Sequence, residues 1–499
     1  MTSFTFPLPE LHSGLRISTM PKLAIALLLT GFADWLFYDQ RSGISVVVFA
    51  VALAVAALLA NVDQLAPRRA GLAGLVLLAG LLPAVEELNA LSLFFVVLSL
   101  AMSVALVTGR ELSRIRDRLA ALRDLYLIGP FRLVVDVINS LKLQSLTRGI
   151  ALWLVPVALG SVFVLLFASA NPLIEKWISL LNPEKWIEKI DIWRTLFWLA
   201  VVALVWPFVH VRWRRRKMKQ PAPAVALDEV SPAEERNRAI LGAPEILRSL
   251  ILFNLLFAVQ TLLDLIYLWG NAGLPAGISY AAYAHRGAYP LIATALLAAA
   301  FVLVAMRPGG PAEKSPIIRP LVYVFVAQNV TLVASSILRL QLYVEFYLLT
   351  YWRIAAFVWM LLVAVGLVLI VMRIWYGHSN AWLVRKNLAT LIGTLYLCSL
   401  TNFAAIIADY DVAHSKEAGG KGAALDATYL LGLGPQALPA INKAILNGVT
   451  ALGVAPCLVR RRDQLIEMQA QDMASWRSWG FRSYRLQLYL DRRARHVTD

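Results

Sequence analysis

Ala90-Leu-Ser-Leu-Phe-Phe-Val-Val-Leu-Ser-Leu-Ala-Met-Ser-Val-Ala-Leu-Val-Thr108 contains no charged side chain, and its two flanks differ in charge. Glu86 and Glu87 precede it in a loop without basic residues, whereas Arg110 behind it opens a stretch of eight basic residues that ends at Arg148. An apolar run of about 20 residues matches an α-helix that crosses a bilayer. Basic residues are held on the cytoplasmic side of such a helix. The same alternation recurs along the chain, so the expected fold class is all-α, a polytopic membrane protein.

Eleven spans are expected: Pro21–Tyr38, Gly43–Ala60, Gly71–Val85, Ala90–Thr108, Ile150–Ser169, Trp193–Val211, Ser249–Gly270, Tyr289–Met306, Leu321–Leu338, Arg353–Trp375 and Asn387–Ala408. With the N-terminus inside, the loops assigned to the cytoplasm hold 27 Arg and Lys and the opposite loops hold eight. That asymmetry orients the chain with its N-terminus cytoplasmic and, after eleven crossings, its C-terminal tail outside. The stretch Ala437–Val459 is the alternative twelfth span. It contains Asn442, Lys443 and two prolines, and its apolar residues recur on one helical face, so a helix packed on a soluble core is expected. The organisation expected is therefore 1–211 as N-terminal membrane helices, 212–248 as a cytoplasmic linker, 249–411 as further membrane helices, and 412–499 as a small helical tail.

Composition agrees with this class. Hydrophobic residues make up 59% of the 499, above the half usual in soluble domains. The net charge of +16 lies in short loops between apolar runs, which points to the inner leaflet and away from nucleic acid. Cys398 and Cys457 give neither a disulfide framework nor metal-ligand spacing. The segment 110–148 has an apolar stripe of Leu112, Ile115, Leu119, Leu122 and Tyr126 interleaved with Arg114, Arg118 and Arg123. Such a helix is expected to lie among anionic lipid headgroups on the cytoplasmic side. A second stripe, Leu173, Ile174, Trp177, Ile178 and Leu181, is expected at the outer interface.

A family pattern stands in the C-terminal half. Ser336-Ile-Leu-Arg339-Leu-Gln-Leu-Tyr343-Val-Glu345-Phe-Tyr347-Leu-Leu-Thr350-Tyr-Trp-Arg353 resembles the signature R-L-x-L-Y-x-x-x-Y-G-L-T-x-x-R of the bacterial membrane-protein domain-of-unknown-function family 4173. Tyr280 to Gly287, Asn402 to Asp411, Leu425 to Leu430 and Gln436 to Ala440 resemble further pieces of that family. Leu348 stands where its pattern has Gly, Asp411 where it has Asn, and Gln436 where it has Asp. The resemblance implies many spans and a C-terminal soluble tail, and it implies no reaction.

Two polar constellations are candidates. Asn254, Gln260 and Asp264 lie within one apolar span, and Gln260 and Asp264 at i,i+4 share a face. An ionisable group at that depth costs about 2.5–3.5 kcal/mol and demands a partner. It can mark a polar path or proton site, or a helix–helix hydrogen bond. The second constellation is an outer loop carrying Arg339, Glu345 and Arg353, on which Arg286, Asp409 and Asp411 can converge. Guanidinium forks bind carboxylate or phosphate, so an anionic headgroup or lipid-linked ligand is one reading and a structural ion-pair network the other. Asp409, Asp411 and His414 form no convincing metal set, Gly419 to Gly422 lacks phosphate-loop spacing, and no catalytic residue or cofactor motif is found. Asn329, Ser335 and Ser336 are expected as polar glue between helices. The expected function is a membrane scaffold or sensor at the envelope of a bacterial inner membrane, contacting lipid and an envelope protein or lipid-linked partner. A transporter or flippase with a path near Asp264, and an envelope enzyme with an outer Arg/Glu/Asp site, are the alternatives.

Overall fold

The structure, a computed structural model, describes residues 19–110, 112–140, 191–213, 242–270, 300–306, 315–420, 422–446 and 455–498, with isolated positions between 156 and 298. Among them no strand occurs and the fold is all-α. The chain forms two compact units, Met1–Lys217 with Asp472–Asp499, and Met218–Gln471.

The first unit is built on α1 (Thr19–Phe37), α2 (Ile44–Ala60), α3 (Ala70–Glu86), α4 (Ala90–Val107) and α7 (Ile192–Val209), with the short α5 (Ile115–Leu122) and α6 (Gly129–Ser140) between the last two. Helix α3 lies along α4, and α1 and α2 pack on α7. Small side chains set these contacts: Ala54, Ala57 and Ala60 of α2 and Ala101 of α4 are buried with Val205, Phe208 and Val209 of α7. In lipid no hydrophobic force draws helices together, so close backbone approach through small residues supplies the packing. Gly80 is the tightest case, since a Cβ there would lie 2.1 Å from Cβ of Ser99. Polar pins reinforce the bundle. Ser103 Oγ donates to the Ala73 carbonyl at 2.9 Å, and buried Asn61 bonds Phe208 O (2.9 Å) and Val211 N (3.2 Å), tying the end of α2 to the end of α7.

The second unit contains α8 (Ala243–Asp264, continued by a π-helical turn Leu265–Trp269), α9 (Ile318–Tyr347), α10 (Tyr351–Tyr376), α11 (Asn380–Leu400) and α12 (Phe403–His414). The short α13 (Ala427–Gly432) and α14 (Leu438–Leu446) follow, then α15 (Ala455–Met473); α16 (Phe481–Thr498) belongs to the first unit. Ile246, Leu250, Val322, Phe325, Met360, Leu367 and Ile407 form its core. Helices α13 and α14 carry the fully buried Leu430, Leu438 and Ile441, and Asn442 is buried beside them; the later part of the expected stripe, Val449 and Leu452, lies outside the described residues.

Not all of the eleven expected spans appear as single long spanning helices among the described residues. Six described helices are long and apolar enough to cross a membrane, seven if a bent pair counts as one. Three causes separate the numbers. Helices α2 and α3 are apolar but reach only 17 residues each. The expected span Asn387–Ala408 is broken, α12 leaving α11 at 67°, where Asn402 caps the new helix by accepting the Ala405 N–H at 3.1 Å. Ile150–Ser169 and most of Tyr289–Met306 lie outside the described residues, as do the stripe 173–181 and the linker 220–237.

Candidate functional site

Helix α9 is longer than expected, 30 residues reaching Tyr347, so Arg339 and Glu345 are helical and the outer-loop placement of Arg339 is corrected. Two charged residues ended the hydropathy window without ending the helix. Arg339 is 4% exposed and forms an ion pair with Asp264, which is 1% exposed. Gln260 Nε2 donates to the same carboxylate at 2.9 Å. The two constellations read separately in the sequence therefore meet: Arg339 of one is the partner of Asp264 in the other.

The pair belongs to a longer polar seam between α8 and α9. Asn254 Nδ2 donates to the Leu321 carbonyl at 3.2 Å, Gln328 Nε2 donates to the Asn254 carbonyl at 3.2 Å, and Trp269 Nε1 donates to Ser335 Oγ at 3.2 Å. Asn254 meets Leu321 and Gln328 in the first half of α9, and Asp264 and Trp269 meet Arg339 and Ser335 in its second half, so the two helices run parallel. Ser335 acts as interhelical glue, whereas Ser336 and Asn329 bond carbonyls of their own helix, Leu332 O at 2.8 Å and Phe325 O at 2.7 Å.

Of the residues expected at an outer site, Arg353 and Asp411 meet at the turn between α9 and α10. Leu348 there has φ +65°, a left-handed backbone that favours glycine, the residue the related pattern carries at this place. Arg353 Nη1 donates to the last carbonyls of α9, Tyr347 O at 2.5 Å and Leu348 O, and its guanidinium lies 4.7 Å above the Tyr343 ring. A cation on terminal carbonyls complements the helix dipole. Asp411, buried at 4%, accepts the Leu349 N–H at 2.7 Å, and Tyr429 Oη accepts the Tyr351 N–H at 3.0 Å. Glu345 is exposed, and among the described residues it makes no ion pair with Arg339 or Arg353. Asp409 pairs with Lys443 at 2.9 Å on the surface, and Asn402 Nδ2 donates to Gln436 Oε1 at 3.0 Å. Arg286 lies outside the described residues. Arg353 and Asp411 do converge, but on backbone. No group of three His, Cys, Asp or Glu suited to a metal ion occurs among the described residues.

A cleft of about 500 Å3 opens between α10 and α11, lined by Trp359, Val363, Leu367, Ile370, Leu383 and Leu391, with Asn387 and Thr390 as its polar members. It does not include Asp264 or Arg339.

Sequence reasoning missed a second ionic cluster, in the first unit. Arg482 pairs with Glu86 (3.3 Å) and Glu87, and Arg485 pairs with Glu86. Arg41 pairs with Asp472, the Trp35 and Trp476 ring centroids are 5.8 Å apart, and the Ile44 N–H donates to Trp479 O at 2.8 Å. Residues 472–498 thus dock on the end of the unit made by the α1–α2 and α3–α4 turns, opposite the start of α1. The signal was available: an acidic doublet without basic neighbours, and an arginine-rich tail.

No curated protein and no solved structure matches the chain. A family model described as a domain of unknown function (DUF4153) matches residues 72–444. It differs from the family 4173 of the sequence resemblance and reaches further, through α3 and α4 into the N-terminal half. The chain belongs to the DUF4153 family.

Proposed function

We propose that this protein is a non-enzymatic scaffold or sensor of the bacterial inner membrane acting at the cell envelope, with the start of α1 on the cytoplasmic side and the docked tail on the outer face. The Arg and Lys asymmetry supports the orientation, and the tail's position opposite the start of α1 agrees with it. Tail and outer turns would then meet an envelope protein or a lipid-linked partner.

The observation that carries the reading is the Asp264–Arg339 pair. A transport path would set these charges against a polar cavity; here both are buried and engaged in joining α8 to α9. The enzyme alternative loses support in a similar way, because Arg353 and Asp411 bond backbone groups of a turn.

The test replaces both charges, Asp264→Leu with Arg339→Met. Swapping a whole buried pair for apolar side chains is often neutral, whereas removing one partner costs about 3–5 kcal/mol. The double variant is expected to reach wild-type levels in membranes and to restore the phenotype of a deletion strain, while Asp264→Leu alone lowers the level. A double variant that is folded and abundant but restores nothing would mean that the charges themselves do the work, and the transporter reading would replace this one.

A further inference from the structure

We propose that the face formed by α5, the π-helical turn Arg123–Leu127 and α6 binds anionic phospholipid headgroups, with Arg114, Arg116 and Arg118 as the recognising charges. The inference goes beyond the scaffold reading and stands without it.

This face lies at the end of the first unit where the spanning helices stop. The α2–α3 turn and the end of α4 meet there, with the Ala66 N–H donating to Val107 O at 2.7 Å and Arg69 Nη1 to Arg110 O at 3.3 Å. It displays large apolar side chains: Leu119, Leu127, Phe131 and Val134 are each more than half exposed, Phe131 at 76%. Beside them stand exposed guanidiniums. Apolar side chains bordered by arginines fit the boundary between headgroups and acyl chains, where the former are buried and the latter meet phosphate.

The structure separates the arginines that hold the fold from those that face outward. Arg110 (3.1 Å) and Arg123 (2.8 Å) both pair with Asp124, which is 1% exposed, and Arg132 donates to the Arg212 carbonyl. Arg114 and Arg116 form no ion pair among the described residues and are exposed; Arg118 is exposed and bonds the Leu112 carbonyl through Nε alone (3.1 Å). Asp117 is the acid nearest to them in sequence, and its Oδ2 accepts the Arg114 backbone N–H at 3.2 Å. A phosphodiester is the anion a bilayer supplies at this level, so charge and apolar exposure name the same occupant.

The test is native mass spectrometry of the full-length protein offered equal amounts of phosphatidylglycerol and phosphatidylcholine. The wild type is expected to retain phosphatidylglycerol in preference. Each arginine near an anionic surface contributes roughly fivefold, so Arg114→Gln with Arg116→Gln and Arg118→Gln should reduce the preference on the order of a hundredfold. Arg110→Gln, whose side chain is committed to Asp124, should leave the preference unchanged. Wild type without preference, because other residues or a protein partner cover the face, overturns the proposal. So does a triple variant with full preference, or an equal loss on Arg110→Gln, which would make total charge the cause.

Discussion

Arg482→Ala is expected to release the C-terminal helix from the first unit, whereas Arg485→Ala leaves it docked. Both guanidiniums reach Glu86, but their surroundings differ. Arg482 is 6% exposed and bonds Glu86 and Glu87; Arg485 is 54% exposed and bonds Glu86 alone. A sheltered hydrogen bond between charged groups contributes about 1.5–3 kcal/mol, and an exposed ion pair about 0–1 kcal/mol. With one of its two bonds at 3.3 Å, Arg482 should supply about 3 kcal/mol, roughly a hundredfold in the undocked fraction. Arg485 should supply at most about fivefold.

Amide hydrogen exchange at Ile44 reads the docking directly. As the first residue of α2 its N–H has no partner within its own helix, and it is satisfied by Trp479 O at 2.8 Å. In lipid nanodiscs, Arg482→Ala should accelerate Ile44 exchange by about a hundredfold, and Arg485→Ala by less than about fivefold. Gly43→Ala supplies a route that leaves the ion pairs intact, because its Cβ would lie 2.4 Å from the Ser478 carbonyl carbon, and backbone there cannot yield without moving the tail. Equal effects of the two arginine variants, or an Ile44 amide indifferent to Arg482→Ala, would refute the sheltered-anchor argument.

Two further predictions concern the turn and the opposite end of the bundle. At position 348 the usual order of stability should invert, with Leu348→Gly more stable than Leu348→Ala in thermal unfolding. Both lose a side chain that is 5% exposed, but only glycine relieves a left-handed backbone costing about 1–3 kcal/mol; an Ala variant equal to or above Gly would dismiss strain there. His210 lies just past the end of α7, and burial first, then Arg212 and Lys22, push its imidazole down to about 4 from 6.5, against the opposing pull of Asp136. The unfolded chain then binds more protons between those values. Stability is complete above pH 7 and falls by about 2 kcal/mol by pH 5. His210→Gln should flatten that decline in a pH series of melting temperatures, and an unchanged slope would remove His210 as its cause.

Much of the architecture was legible because a bilayer imposes a length and a charge rule on every crossing. Helix α4, expected at Ala90–Thr108, runs Ala90–Val107. Leu348 stands where the related pattern has glycine, and the backbone there is left-handed. Hydropathy cannot see a helix that continues beyond its apolar stretch, so Arg339 and Glu345 were read as loop. Nor can it see which helices become neighbours. Pairing Asp264 with Arg339 requires α8 and α9 to lie parallel, a relation between elements more than 50 residues apart in the chain. The break at Thr401 was marked locally by the capping side chain of Asn402, but a continuous apolar run concealed it.

The parallel seam also explains why a costly ion pair is retained. Asp264 and Arg339 each carry an insertion cost of about 2.5–3.5 kcal/mol, and a pair of apolar side chains would pack as well without it. What an apolar pair lacks is direction. Leucine against methionine is nearly indifferent to a slide along the helix, whereas the carboxylate must meet its guanidinium and the Asn254 amide must meet the Leu321 carbonyl. These contacts are ten residues apart on α8, about 15 Å of helix. A slip of one turn, about 5.4 Å, breaks both ends together. A seam pinned at two distant points resists that slip at either end, so the apolar double variant keeps its register through the Asn254 and Gln328 bonds, and a register held twice over is what a path that must open between helices would have to give up.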